Sequence, residues 1–531
     1  MKKRSWFSGT LVVLLFGFSL SSWYCAKKED SKSDDKLIAQ SKFHKEDFSL
    51  SFDSAMVETF YAKYPKLVLY KKQAVSLYQK NQYNYLWYDK KGRKETAEVI
   101  YNKMNNLFEE GVQTKAPYKE IFDGLFARTN TKPNVEVDLF LTNYYFYYTN
   151  KVLQGIDSAK TEELGWYLPR KKLSYGQYLD SILVDPKLMD NKEQLIGQYY
   201  KLKSVLQKYR AIEKKGAWEA ISMPTDFKQL KPGDSSGVVL QIRKRLFLTN
   251  DIASDSKSNI YDESLQDAVL RYKKRNGFSE DKNITAKHID EMNVPISDRI
   301  KTIMVNMERC RWISTDLTKA KEFIVVNIPS YRLTYFKEGK AALVSNVVVG
   351  TALNETVIFS GMMSYIVFSP YWNVPNSIKN KEILPAIKKN KNYLAKHNME
   401  WNGNMIRQKP GPNNSLGLVK FLFPNSNNIY LHDTPSKSLF SQEKRAFSHG
   451  CIRVAKPKEL AKMILQDEPN WTPEKIEAAM NGKKEKWHTL KNKIPVYIGY
   501  FTAWVDDDGL INFHKDIYDR DNALANLLLE E

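Results

Sequence analysis

The sequence predicts a multidomain α+β protein: an α-helical scaffold domain, a small three-helix domain and a mostly-β domain with a helical and loop-like capping insertion. Three observations lead there. The chain has 531 residues, enough for several domains of roughly 150 residues each. Apolar residues recur at helical spacing from Met56 to about Ser222, and from Phe323 they alternate as in half-buried strands. The composition, 42% hydrophobic and 27% charged, excludes a disordered chain.

At the N-terminus Lys2, Lys3 and Arg4 precede an apolar run from Trp6 to Leu20, short for a membrane span and shaped like a secretory signal. Residues 1–25 are therefore expected to be a signal peptide or lipoprotein signal. Cys25 stands where a lipidated cysteine would, although bulky Trp23 and Tyr24 precede it; cleavage near Ser21 and an uncleaved anchor are the alternatives. Residues 26–47, rich in Lys, Asp, Glu and Ser, read as a solvated tether. Lys plus Arg number 81 against 61 Asp plus Glu, a net +20, so a polyanionic neighbour is expected. Export makes that neighbour cell wall or anionic lipid and argues against nucleic acid. Membrane contact is expected only through the N-terminal signal, anchor or lipid, and the location is the periplasm.

Residues 48–222 form the scaffold domain, with amphipathic runs at Leu139–Leu153 and Tyr199–Ala211. The run from Tyr144 to Tyr148 reads as a buried helix face, with a sugar-stacking surface as the alternative. No nucleophile or ligand cluster appears in this region. Residues 223–295 are a compact unit that opens Leu230-Lys-Pro-Gly233-Asp-Ser-Ser-Gly237. There Pro-Gly supplies a turn and Asp or Ser an N-cap, and a helix carrying Val238, Val239, Ile242 and Leu246 follows. A second helix ends at Asn276-Gly277, and a third runs from about Thr285 to Met292. Residues 296–322 hold a connecting helix, in which Cys310 shares a face with Ile303, Met304 and Met307 and reads as a small core residue.

Residues 323–515 are the β domain. Strands are expected at Phe323–Ile328, Arg332–Phe336, Ala342–Val349, Val357–Phe359, Tyr365–Phe368, Ile429–His432 and Val496–Val505, with a hairpin turn at Glu338-Gly339. The capping insertion spans about 373–423, from Trp372-Asn373-Val374-Pro375 past Arg407-Gln408-Lys409-Pro410-Gly411-Pro412. An insertion of that size at a strand edge reads as a lid or binding loop. Residues 516–531 are taken as a C-terminal tail.

Three cysteines (Cys25, Cys310, Cys451) exclude a disulfide framework, and no CxxC or CxxH spacing suggests structural zinc. His44, His288, His397, His488 and His514 are scattered without ligand spacing, so neither metal nor cofactor is expected. The informative stretch is Asn428-Ile-Tyr-Leu-His432-Asp-Thr-Pro435 followed by Phe447-Ser-His-Gly450-Cys451-Ile-Arg453-Val454. A histidine ending one strand and a cysteine beside a glycine on a second loop are what thiol acyl transfer needs. The imidazole takes the thiol proton, Gly450 lets substrate approach the backbone, amides around Gly450 and Cys451 meet an oxyanion, and Arg453 brings a fixed charge. Spacing alone does not separate His432 from His449 as the base.

Ser448-His449-Gly450-Cys451-Ile452-Arg453 with His432 upstream resembles the active-site signature of YkuD-fold L,D-transpeptidases. The order of domains is similar to the large multidomain YcbB-type branch, and the opening of 223–295 resembles the L-x-x-G-x-x-G-x-x-V-x-x-L-Q start of a peptidoglycan-binding domain, with a plain three-helix bundle as the alternative. The resemblance implies an enzyme that forms 3-3 cross-links between meso-diaminopimelate residues of peptidoglycan stems through a cysteine thioester, releasing D-alanine. It implies Cys451 as nucleophile, His432 as general base and acid, Arg453 as a substrate-orienting or thiolate-stabilising group and Gly450 in the oxyanion site. Ser448, His449, Tyr430, Trp372, Asn373 and Arg407 are expected to contact substrate. Many relatives follow the first histidine with glycine where this chain has Asp433, so a backbone carbonyl is expected to orient the imidazole. The implied partners are peptidoglycan and other cell-wall synthases. The alternatives are an L,D-carboxypeptidase that trims tetrapeptides to tripeptides and a non-catalytic wall-binding scaffold.

Overall fold

The structure, a computed structural model, describes residues 50–129, 131–170 and 174–530. The expected signal, Cys25 and tether lie outside the described residues. Phe48–Glu531 form one compact unit.

In the scaffold region the helices Ala55–Lys63, Lys71–Lys80, Glu95–Asn105 and Lys119–Arg128 surround a central helix, Val135–Tyr148. The sequence reads this central helix as amphipathic, but it is buried on every side from Val137 to Tyr148. Its polar residues are satisfied inside. Asp138 accepts from Trp87 N at 2.9 Å and from the Tyr78 hydroxyl at 2.6 Å, and the Tyr61 hydroxyl donates to Asn143 at 3.1 Å. The hydroxyls of Tyr144 and Tyr145 donate to the carbonyls of Pro117 and Tyr175, so these rings face the core and not a ligand.

The three helices of the small domain are Gly237–Leu248, Glu263–Arg275 and Ala286–Met292. Ser236 and Asp262 cap the first two, and Gly277, at φ +76°, ends the second. Val239, Ile242, Leu246, Leu265, Val269 and Ile289 fill the core. The small domain is clasped to the β domain at two places. Arg275 and Asn276 bond to the backbone of Ile511 and Phe513, and Glu443 accepts from Ser279 N at 2.9 Å and from Lys287.

The connecting helix, Ile296–Arg311, packs on Gly197–Lys214 and on Arg520–Glu530, with Cys310 fully buried. Residues 516–531 thus differ from the expected tail: Leu524 and Ala525 are buried and Asp521 pairs with Arg309 at 2.6 Å. Flanking acidic residues hide this short apolar stripe from a periodicity reading.

Among the described residues the main sheet has ten strands: β1 Trp166–Tyr167, β2 Glu322–Asn327, β3 Arg332–Lys337, β4 Lys340–Gly350, β5 Ile358–Phe368, β6 Val419–Leu422, β7 Leu431–His432, β8 Ala446–Ser448, β9 Ile452–Val454 and β10 Lys486–Gly499. The order β6-β7-β9-β4-β3-β2-β10-β5 closes through β5–β6, so the pairings form a ring around the core. β1 is supplied by the scaffold region and joins β5 in parallel. Glu338 and Gly339 both have positive φ, as the predicted hairpin requires. The insertion is shorter than the expected 373–423, because 419–422 belongs to the main sheet. It holds a three-stranded sheet, Trp372–Asn373, Met399–Asn402 and Met405–Gln408, beside short helices, over a small core of Val374, Ile383, Met399 and Ile406.

Candidate active site

The site is built on β7 and β9, which run parallel with Leu431 opposite Ile452 and His432 opposite Arg453. Leu431 and Ile452 point into the core. Alternation then sends His432 and Arg453, and with them Tyr430 and Cys451, to the other face. Ile452 N donates to Tyr430 O at 3.1 Å, which fixes Cys451 alongside Tyr430. The rings of Tyr430 and His432 meet edge to face at 5.7 Å.

His432 is buried, and its Nδ1 donates to the carbonyl of Asp433 at 2.5 Å, which leaves Nε2 with its lone pair. Burial, followed by the charge of Arg453, pushes its pKa down to about 4, so the resting imidazole is neutral. The orienting group is thus a backbone carbonyl. The Asp433 carboxylate acts elsewhere, accepting from Leu418 N at 2.9 Å and Thr434 N at 2.7 Å and pairing with Lys437. Gly417 permits this: at φ +62°, a Cβ there would lie 2.4 Å from that carboxylate.

The Cys451 thiol is half-buried, and its sulfur faces Asn428 O at 3.7 Å. Burial raises its pKa, and the Tyr430 backbone and hydroxyl and the Arg453 charge oppose that rise. The resting pair is therefore thiol and neutral imidazole, not thiolate and imidazolium. Arg453 has no carboxylate partner among the described residues, and its Nε is buried without an acceptor. It is a cation free to meet an anionic group on the same face as the sulfur.

Gly450 differs from expectation in one respect. Its amide donates to Ser448 Oγ at 3.2 Å and its carbonyl accepts from Thr356 Oγ1 at 2.8 Å, whereas the Cys451 amide beside the sulfur has no partner among the described residues. Ser448 is likewise a brace and not an open contact, since its hydroxyl donates to Cys451 O at 2.6 Å. Thr356 and Tyr518 hold this loop from behind. Thr356 Oγ1 accepts from Gly350 N at 2.9 Å, and the Tyr518 hydroxyl donates to Gly350 O at 2.8 Å. No local sequence signal marks either residue.

His449 turns outward and lies 3.4 Å from Glu382 of the insertion, away from the base position. Trp372, Asn373 and Arg407 gather at the root of the insertion, where Asn373 is opposite Arg407 in register. Arg407 is engaged there by Glu400 at 2.7 Å and lies over the Tyr371 ring. Among the described residues no cluster of three or more His, Cys, Asp or Glu is placed to hold a metal ion.

The family of L,D-transpeptidase catalytic domains (YkuD) matches residues 321–515, and the Scaffold domain family matches 72–206. A Haemophilus influenzae protein whose name places it among the L,D-transpeptidases is 35% identical over 222 residues, 38% of this chain. The chain spans 45% of the length of that relative. Solved structures with some likeness include an L,D-transpeptidase from Mycobacterium smegmatis, at 12% identity and TM-score 0.20 over 34% of this chain and 59% of that one. Another, from Stackebrandtia nassauensis, has 13% identity and TM-score 0.21 over 52% of this chain and 97% of that one. Likenesses of that size do not bear on the reaction. The segment 321–515, with its strand-borne cysteine and histidine, thus matches the YkuD-type L,D-transpeptidase catalytic domain and is similar to enzymes of that class, and it follows a segment that matches the Scaffold domain in a multidomain α+β chain.

Proposed function

We propose that the chain is a peptidoglycan L,D-transpeptidase that joins two meso-diaminopimelate residues in a 3-3 cross-link through a thioester on Cys451. The observation that carries this reading is the parallel register of β7 and β9, which sets Cys451 and His432 on one sheet face. The thiol proton passes to His432 Nε2 as Sγ attacks the carbonyl of the third stem residue. The oxyanion meets the Cys451 amide. The C–N bond to D-alanine breaks, and its nitrogen leaves with the proton held by His432. The side-chain amine of a second stem then attacks the thioester, gives its proton to His432, and the thiol returns.

In this reading Arg453 receives a substrate carboxylate, and Tyr430 and His449 flank the substrate. The insertion rooted at Trp372 and Asn373 limits water at the thioester, which favours the amine over hydrolysis. Residues 223–295, clasped to the β domain through Glu443, hold the wall near the site. Action on the wall places the protein outside the cytoplasm, in the periplasm, with other wall synthases as partners. The test is mass spectrometry of residues 26–531 and of Cys451→Ala incubated with a disaccharide-tetrapeptide. A dimer linked between diaminopimelates and a protein-bound thioester, both absent from the variant, are expected. Tripeptide as the sole product would replace this reading with an L,D-carboxypeptidase.

A further inference from the structure

The turn that carries Cys451 is gripped from inside the domain by a closed set of hydrogen bonds. Thr356 Oγ1 donates to Gly450 O at 2.8 Å and accepts from Gly350 N at 2.9 Å. Thr356 N donates to the Tyr518 hydroxyl at 3.2 Å, and that hydroxyl donates to Gly350 O at 2.8 Å. Each hydroxyl thus serves as donor and acceptor at once, and its single proton is committed. Both residues are buried, Thr356 completely. The grip closes because the end of β4 has no side chain: a Cβ on Gly350 would lie 2.0 Å from Asn354 O.

The bond to Gly450 O sets more than the position of the turn. In a trans peptide unit the carbonyl and the following N–H point in opposite directions. Holding Gly450 O on Thr356 therefore turns the Cys451 N–H away from Thr356 and the interior. Ser448 Oγ holds the units on either side, through Gly450 N and Cys451 O, and leaves the unit between Gly450 and Cys451 to Thr356. That unit needs a hold. Gly450, at φ +112° and without a Cβ, lets it rotate at little cost, and a rotated unit presents a carbonyl oxygen where an oxyanion needs a donor.

Tyr518 lies beyond residues 321–515, which match the catalytic-domain family. Its own N–H donates to the Tyr500 hydroxyl at 2.9 Å, and Arg520, two residues on, donates to Leu164 O at 3.1 Å and to Glu355 beside Thr356. We propose that Thr356, backed by Tyr518, is the positioning pair that keeps the Cys451 amide aimed at the oxyanion, so that the C-terminal segment completes the site. This rests on the acyl transfer to Cys451 proposed above. It adds which residues orient the donor, and that one of them comes from outside the matched domain.

The test is the rate at which Cys451 of the full chain is acylated by a disaccharide-tetrapeptide and by p-nitrophenyl acetate, beside its alkylation by iodoacetamide, each read by mass spectrometry. Acylation builds an oxyanion and alkylation does not. Thr356→Val is expected to slow both acylations about ten- to hundredfold and to leave alkylation within about twofold. Thr356→Ser, which keeps the hydroxyl, should restore most of the rate, and Tyr518→Phe should slow acylation about three- to tenfold. Acylation at the unmodified rate in Thr356→Val would overturn the assignment. So would an equal fall in alkylation, or no recovery in Thr356→Ser, since either would mark a general disturbance of the turn. An unslowed Tyr518→Phe would overturn the part given to the C-terminal segment. The ester separates this inference from the reaction: the expected pattern with p-nitrophenyl acetate, and no acylation of the unmodified chain by the stem, would keep the positioning pair and reject the transpeptidase reading.

Discussion

The Nδ1 of His432 lies 2.5 Å from the carbonyl oxygen of Asp433, the residue that follows it in the chain. This contact fixes the tautomer, and burial holds the pKa near 4 against an ordinary 6.5. If His432 is the general base, as proposed, it is thus already deprotonated at mildly acidic pH. The acid limb of kcat/KM is expected near pH 4 to 5 and not near 6.5. A pH–rate profile that breaks between 6 and 7 would contradict it.

Three histidines, His288 and His432 buried and His514 partly buried, link stability to pH. Burial lowers His288 and His432 to about 4 and His514 to about 3, from an ordinary 6.5 in the unfolded chain. Since the folded pKa values are depressed, the unfolded state binds these protons first. Their stabilising effect is complete above about pH 6.5 and is lost as pH falls toward 4. Thermal melts from pH 7.5 to 4.5 should show a falling Tm, and His514→Gln should flatten that slope.

At Cys451, the proposed nucleophile, burial raises the thiol pKa while the Tyr430 hydroxyl and Arg453 lower it. Alkylation of Cys451 by iodoacetamide, followed by mass on its peptide, should rise with pH to a midpoint above the ordinary 9.0. Tyr430→Phe should move the midpoint higher still and slow alkylation at pH 8 by a few-fold. An unchanged midpoint would remove Tyr430 from the thiol's surroundings. Cys451→Ala should cost about a thousandfold or more in turnover and leave the far-ultraviolet circular dichroism unaltered.

Gly417→Ala combines a positive φ with a Cβ placed 2.4 Å from the Asp433 carboxylate. A loss of about 2–4 kcal/mol is expected, together with reduced kcat as the segment that orients His432 shifts. Urea titration and single-turnover acylation would measure the two effects. Loss of stability with acylation unimpaired would show that Asp433 does not position the histidine.

The clasp between the small domain and the loop leading into β8 rests on Glu443, which holds Ser279 and Lys287. This carboxylate is partly exposed, so Glu443→Ala should leave Tm within about a degree or two. Hydrogen exchange is expected to quicken at Ser279 and across 442–448. Protection equal to wild type would mean that other contacts hold the two parts together.

The candidate reacting groups are legible because Cys451 and His432 each sit in a short local pattern, and the strand beginning at Phe323 announces itself by alternation. What places the two together is a parallel pairing between segments some twenty residues apart, and no local pattern encodes that register. The two-residue strand Trp166–Tyr167 is too short to show a period, and it exists because β5 offers it a partner. The commitments of Ser448 Oγ and the Gly450 amide were hidden for a related reason: each depends on the tight turn closing on itself, and only the folded loop reveals that the Cys451 amide is the one left over. The C-terminal helix was missed because its apolar residues acquire a face only against Ile296–Arg311.

The thiol kept protonated by burial has a consequence for the durability of the enzyme. Thiolates attack peroxides and disulfides far faster than thiols do, so a sulfur that in the proposed reaction ionises only as substrate arrives escapes most adventitious oxidation. Half-sheltered between Tyr430 and Asn428, Cys451 would in that reaction be reactive on demand and otherwise chemically quiet.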